Sequence, residues 1–215
     1  MLSLIPSLTL SRERNLGQVL ESKWNVVQSK LAHENNKLQI GIGLPALLND
    51  SVKYAKVVDL LLAVCKNHEC HFIVQAPYDK NLLLKHAGDQ VDAKNVHHFT
   101  EGVEDWFLFM EKLDFVVSTR IHGGMAGIVN GIPTIIIPTD LRILELVDAM
   151  NLPHISFGDA MNRKFETLQV LMDATKTDFI GFEKNRQDRI SVYKRMVESV
   201  GLKMDPLLLD VISKA

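Results

Sequence analysis

The sequence predicts an α/β domain built on a mostly parallel sheet, and three observations predict it. Short β-type runs alternate with segments of helical period between residues 38 and 150. Two of those runs, around 115–117 and 135–137, are wholly apolar, as strands covered on both faces are. Gly131 and Pro133 follow the helical segment 122–130 in the order that ends a helix. The chain has 215 residues, 47% hydrophobic and 23% charged, an ordinary globular balance with material for a sizeable core.

The elements follow in order. Residues 1–10 read as extended, punctuated by Pro6. Leu16, Val19, Leu20, Trp24, Val27 and Leu31 then fall at helical spacing. Polar residues 32–37 read as a linker. This divides the chain into a lead-in segment and helix, 1–36, and a Rossmann-like domain with C-terminal helices, 37–215. Leu38–Leu44 is the first strand. A helix from Lys53 to Asn67 follows, with Ala55, Val58, Leu61, Leu62 and Cys65 on one face. His71–Gln75 is a strand, Lys80–His86 a short helix and Val96–Phe99 a weaker strand. Val103–Lys112 is a helix and Asp114–Ser118 a strand. The helix His122–Asn130, the strand Thr134–Ile137 and the helix Leu141–Met150 come next. A short strand at His154–Phe157 and helices at 164–174 and 182–200 complete the chain.

Composition excludes several classes. Net charge is −2 and no basic tract with interleaved aromatics appears, so nucleic acid is not an expected partner. Two cysteines, Cys65 and Cys70, are too few for a secreted disulfide framework and suit a reducing cytoplasm. The apolar start lacks a basic segment and a cleavage site, so no signal peptide is expected. No apolar run approaches the roughly 20 residues that span a bilayer.

In a parallel sheet, ligands bind beyond the carboxyl ends of the strands. That directs attention to Ser118-Thr119-Arg120-Ile121-His122-Gly123-Gly124. In an extended stretch Arg120 and His122 point the same way. Arg offers a planar fork for carboxylate or phosphate, and His acts as a cation or as an acid or base. Gly123 and Gly124 let a ligand approach the start of a helix, whose free N–H groups attract anions. Ser118 and Thr119 add hydroxyls. The plainer reading is a glycine-rich tight turn. At the next strand end Asp140 caps a helix, and Thr139 and Arg142 are candidate ligand contacts. Gly41 and Gly43 lack the third glycine of a dinucleotide fingerprint, and Gly43 is a candidate for lining a pocket with its backbone. Cys65, His68, Cys70 and His71 do not have zinc spacing, so no metal is expected. His97 and His98 face opposite sides of a strand and do not form a pair. Glu101 stands at a third strand end.

The run DFVVSTRIHGGMAGIVNGIPTIIIP resembles the second-half signature of polysaccharide pyruvyl transferases: an Asp-apolar strand, Arg-x-His-Gly, a small-residue helix, Gly-x-Pro and an apolar strand. Pro6–Leu10 and Leu16-Gly17 resemble the segment just before that domain. The resemblance implies one half of a GT-B-like fold, with the acceptor bound between two such domains; this chain has room for the second. It implies phosphoenolpyruvate as donor and a sugar of a surface polysaccharide as acceptor, with no cofactor. A lipid-linked acceptor would bring the protein peripherally to a membrane. Arg120 would hold the donor's phosphate or carboxylate, and His122 would bind the donor or act as general acid. The helix near 182–200 would cross back towards the first domain. Two other readings share the topology: a glycosyltransferase or epimerase-like enzyme using a nucleotide sugar, and a non-catalytic anion-binding module. The sequence leaves acceptor, linkage and oligomeric state open.

Overall fold

A computed structural model describes residues 15–33, 36–45, 51–99, 102–162 and 165–201. The expected extended segment 1–10 and Glu101 lie outside the described residues.

Five strands form one parallel sheet in the order β3-β2-β1-β4-β5: β1 Gln39–Gly43, β2 Glu69–Val74, β3 Val96–His98, β4 Phe115–Ser118 and β5 Thr134–Ile136. The helices are α1 Leu16–Leu31, α2 Ser51–Val64, α3 Pro77–Ala87, α4 Val103–Met110, α5 Ile121–Val129, α6 Leu141–Met150, α7 Phe157–Asn162, α8 Leu168–Ala174 and α9 Phe179–Ser199. This is the doubly wound, Rossmann-like arrangement. The chain winds outward from β1 to β3, then returns to the other side of β1 to lay down β4 and β5. The direction reverses between β1 and β4, the kind of switch point at which parallel sheets bind ligands.

The strands are covered on both faces because their side chains alternate. Ile40, Ile42, Phe72, Val74, Phe115 and Val117 join the larger apolar cluster, with Trp24 of α1 and Val57, Val58 and Leu61 of α2. Ile73 and Val116 face the other way, onto Met110 of α4 and Ala126 of α5. Trp24 stands 5.5 Å from the Phe115 ring and 5.8 Å from Phe179 of α9, which ties the lead-in helix to the sheet. Glu183 of α9 accepts from the Gly17 backbone N–H at 2.9 Å.

Three local expectations change. The buried residues of α2 are Tyr54, Val57, Val58, Leu60, Leu61 and Val64, with Ala55 and Leu62 half-buried beside them. The expected strand at His154–Phe157 is reduced to a single bridge position, His154, between Ile136 and Lys176. Its extension fails because Ser156 starts a helix: its Oγ accepts from Asp159 N at 3.0 Å and donates to the Asp159 carboxylate at 2.8 Å. Cys65 and Cys70, expected as reduced thiols, form a disulfide with Cα atoms 5.7 Å apart. The turn through Asn67, at φ 72°, folds the start of β2 back beside the end of α2.

No helix among the described residues is long and apolar enough to cross a membrane.

Candidate active site

The turn from β4 into α5 lies at the point where the sheet reverses. Gly43 at the end of β1 is in register with Ser118 at the end of β4. The Gly43 carbonyl accepts from Thr119 N at 3.0 Å and from Thr119 Oγ1 at 2.9 Å, clamping the two strand ends together. Ser118 Oγ donates to the Arg120 carbonyl at 2.7 Å and accepts from Arg120 N at 3.2 Å. Ser118 and Thr119 are therefore fully buried and committed to shaping the turn. Both hydroxyls expected to meet a ligand are used internally.

The glycines have a packing role too. A Cβ on Gly123 would lie 2.8 Å from Ser118 Oγ, and one on Gly124 would lie 2.7 Å from Ile136 Cγ1. They let α5 sit directly on β4 and β5. Gly43 faces Ser118 in the same way.

Arg120 reaches across the carboxyl end of the sheet to the segments that follow β1 and β2. Its Nε donates to the Leu44 carbonyl at 2.8 Å, Nη1 to Gln75 Oε1 at 3.2 Å and Nη2 to Asp79 Oδ2 at 2.8 Å. Asp79 is 1% exposed, and the same oxygen accepts from Gln75 N and Ala76 N at 3.3 and 3.2 Å. Asp79 Oδ1 and the Tyr54 hydroxyl are buried without a hydrogen-bond partner among the described residues. Burial, and then the nearby Asp79 charge, push the Tyr54 phenol up to about 12, against a smaller opposing effect of Arg120. Tyr54 thus stays neutral beside the ion pair.

His122 is exposed in the first turn of α5. It does not continue the extended stretch beside Arg120, because the helix has already begun at Ile121. The two still meet around one residue: Gln75 accepts from Arg120 and, with His122, Ile73, Val74, Phe99 and Trp106, lines a hollow of about 240 Å³. Arg120 occupies the N-cap of α5 without supplying a side-chain cap, so its side chain leaves the first-turn N–H groups to other acceptors. α1, α6, α8 and α9 are capped by the side chains of Asn15, Asp140, Thr167 and Asp178, whereas α3 and α4, like α5, have no such bond from the N-cap residue.

The remaining candidates are peripheral. Thr139 Oγ1 makes a long 3.4 Å contact to the Thr119 carbonyl. Arg142 is 90% exposed and lies on Asp140 at 2.9 Å. That hydrogen bond lowers the Asp140 carboxyl below its usual range. Asp140 also caps α6 through Ile143 N at 3.1 Å. Among the described residues no group of acidic, His or Cys side chains could hold a metal.

Sequence reasoning missed Asp79, Tyr54 and Gln75. The available signal was the end of β2: Gln75-Ala76-Pro77 leaves a strand and places Pro at the first helical position, with an acid two residues on. It also missed the partner of His97. His97 Nε2 lies 3.2 Å from His71 Nδ1 on the neighbouring strand, and His71 Nε2 lies 2.7 Å from Gln39 Oε1. Desolvation lowers both imidazoles below the usual range; the other's charge lowers His97 further, while Glu69 partly offsets the effect on His71. The unfolded chain therefore binds protons that the folded chain refuses. Stability should be insensitive to these groups above about pH 6.5 and fall as pH drops below it. Urea unfolding at pH 7.5 and pH 5.5 checks this, and His97→Gln should flatten the difference.

No curated protein matches the chain. The profile of the family described as polysaccharide pyruvyl transferase matches residues 23–140, more than half of the chain, from α1 through the Arg120–His122 turn to the cap of α6. This chain belongs to the polysaccharide pyruvyl transferase family.

Proposed function

We propose that this chain carries the donor site for transfer of a pyruvyl group from phosphoenolpyruvate to a sugar of a surface polysaccharide. The observation that carries the proposal is the Arg120–His122 turn at the reversal point of the sheet, at a helix start that Arg120 leaves without a side-chain cap. A small, highly charged anion suits that arrangement. The first turn of α5 offers N–H groups and the positive end of the helix dipole. His122 stands exposed in the same turn.

Arg120 plays a different part from the free fork expected of it. Asp79 offsets its charge, so its contribution is an oriented N–H edge, held in place and 14% exposed. Such preorganisation spares the site the cost of ordering a flexible side chain.

The reaction balances as follows. The C3 methylene of phosphoenolpyruvate takes a proton, delivered by His122 as imidazolium. One sugar hydroxyl oxygen adds to the oxocarbenium-like C2. The C2–O bond to phosphate then breaks, regenerating an oxocarbenium-like centre, and a second hydroxyl oxygen adds to it. One hydroxyl proton returns to His122 and the other leaves on inorganic phosphate, giving a ketal and hydrogen phosphate.

Titration calorimetry with phosphoenolpyruvate, and separately with UDP-sugars, tests the reading. Saturable heat with phosphoenolpyruvate is expected. A signal with the nucleotide sugar alone would favour a glycosyltransferase-like donor at the same strand ends, and turn the proposal down. His122→Ala should weaken phosphoenolpyruvate roughly tenfold or more. Its urea midpoint should stay unchanged, because His122 is exposed.

A further inference from the structure

We propose that the hollow between Gln75, Phe99, Trp106 and His122 is a subsite for one pyranose ring of the acceptor carbohydrate. The proposal rests on the donor reading above for its reaction partner, but not for its geometry. The hollow encloses about 240 Å³ over Ile73 and Val74, at the ends of β2 and β3. That is below the usual range of about 300–1,000 Å³ for drug-sized ligands and suits a single small ring.

Its walls have the chemistry a pyranose needs. A sugar ring presents a flat patch of C–H groups on one face and hydroxyls around its rim. Phe99 and Trp106 run parallel within 11°, at 6.3 Å between centroids, and supply flat apolar faces. Phe109 and His97 back Phe99 at 5.4 and 6.2 Å, so that wall is braced from behind. The polar groups are few and placed at the edge: the Gln75 amide and the His122 imidazole. The Trp106 indole N–H is buried without a hydrogen-bond partner among the described residues. Both classes of contact, aromatic faces and rim hydrogen bonds, point to a carbohydrate rather than to an anion or an aliphatic chain. Among the described residues no Lys or Arg lines the hollow.

Its position adds the functional link. His122 belongs at once to the hollow and to the first turn of α5, where the donor is proposed to sit. A ring seated on Trp106 would hold its hydroxyls next to the donor carbon, converting an encounter into an oriented attack.

The chain carries its own reporter. Of its two tryptophans, Trp24 is 4% exposed in the core, leaving Trp106 as the one that lines the hollow. Methyl pyranosides titrated into the whole chain should change tryptophan emission saturably, whereas an acyclic polyol with as many hydroxyls should not. By saturation-transfer NMR, Trp106→Ala and Phe99→Leu should each bind the pyranoside roughly tenfold more weakly. Phosphoenolpyruvate heat should change less than twofold in both variants. Phe99→Leu keeps the apolar volume, so it reads the stacking contact even if Trp106→Ala fails to fold. Phosphoenolpyruvate binding without a saturable response to any pyranoside, or equal responses to pyranoside and acyclic polyol, would overturn the subsite and leave the donor reading standing. Pyranoside binding lost in these variants, but with no phosphoenolpyruvate heat, would do the reverse.

Discussion

Arg120→Ala is expected to destabilise the fold by about 3 kcal/mol, as well as to remove donor binding. Removing one member of a buried ion pair typically costs about 3–5 kcal/mol, because the other charge is left behind in a poor solvent. The lower end applies here because the guanidinium keeps 14% exposure while Asp79 has 1%. The variant would also strip a donor from the Leu44 carbonyl and from Gln75 Oε1. The sequence presents Arg120 as a ligand group. The structure changes that expectation, and with it the meaning of a loss-of-binding result. The double variant Arg120→Ala/Asp79→Asn separates the two roles. Removing the stranded carboxylate should recover a large part of the stability, whereas phosphoenolpyruvate binding should stay lost. A urea-unfolding cycle over wild type, both single variants and the double variant measures the coupling. Coupling near zero would mean that Asp79 does not hold Arg120 in solution.

The fold was legible because its strands announce themselves locally. Phe115–Ser118 and Thr134–Ile136 are short apolar runs bounded by turns, and α1, α2 and α6 each bury a 3.6-residue stripe. Strand order is not written in such runs. The reversal at β1 and β4 is set by long-range packing, through Trp24 on Phe115 and Met110 and Ala126 on the opposite face. The site was half legible for the same reason. Arg120 and His122 could be picked out because the turn is contiguous. Their environment could not, because Asp79 is 41 residues from Arg120, and Phe99 and Trp106 come from another loop and helix. The hydroxyls of Ser118 and Thr119 misled in one direction only: a buried turn must satisfy its own backbone, and those side chains do it. The His71–His97 contact was hidden because the sequence shows which face of its strand a residue takes, not which strand lies beside it.

Gly43→Ala is the second large effect, and it tests whether the clamp between β1 and β4 governs the site. Gly43 and Ser118 are paired residues at the switch point. A Cβ at Gly43 would collide with Ser118 Oγ and lie 2.9 Å from Ser118 Cβ and 3.2 Å from its Cα. The hydroxyl cannot swing aside freely, since it donates to the Arg120 carbonyl at 2.7 Å and accepts from Arg120 N at 3.2 Å. The Cα cannot move without shifting the strand. Overpacking of this kind costs about 1–3 kcal/mol, and losing a turn hydrogen bond adds roughly 1 kcal/mol. The displaced turn would also move the start of α5, which places His122. Gly43→Ala should therefore weaken phosphoenolpyruvate binding even at temperatures where the variant is fully folded. Ser118→Gly in the same background removes the Oγ and Cβ obstacles and should restore part of the stability. It should restore less of the binding, because the hydroxyl that shapes the Arg120 turn is gone. A Gly43→Ala protein within about 0.5 kcal/mol of wild type by urea unfolding would show that the two strand ends are not so closely apposed. Normal phosphoenolpyruvate heat in a protein so destabilised would instead place the donor away from this turn.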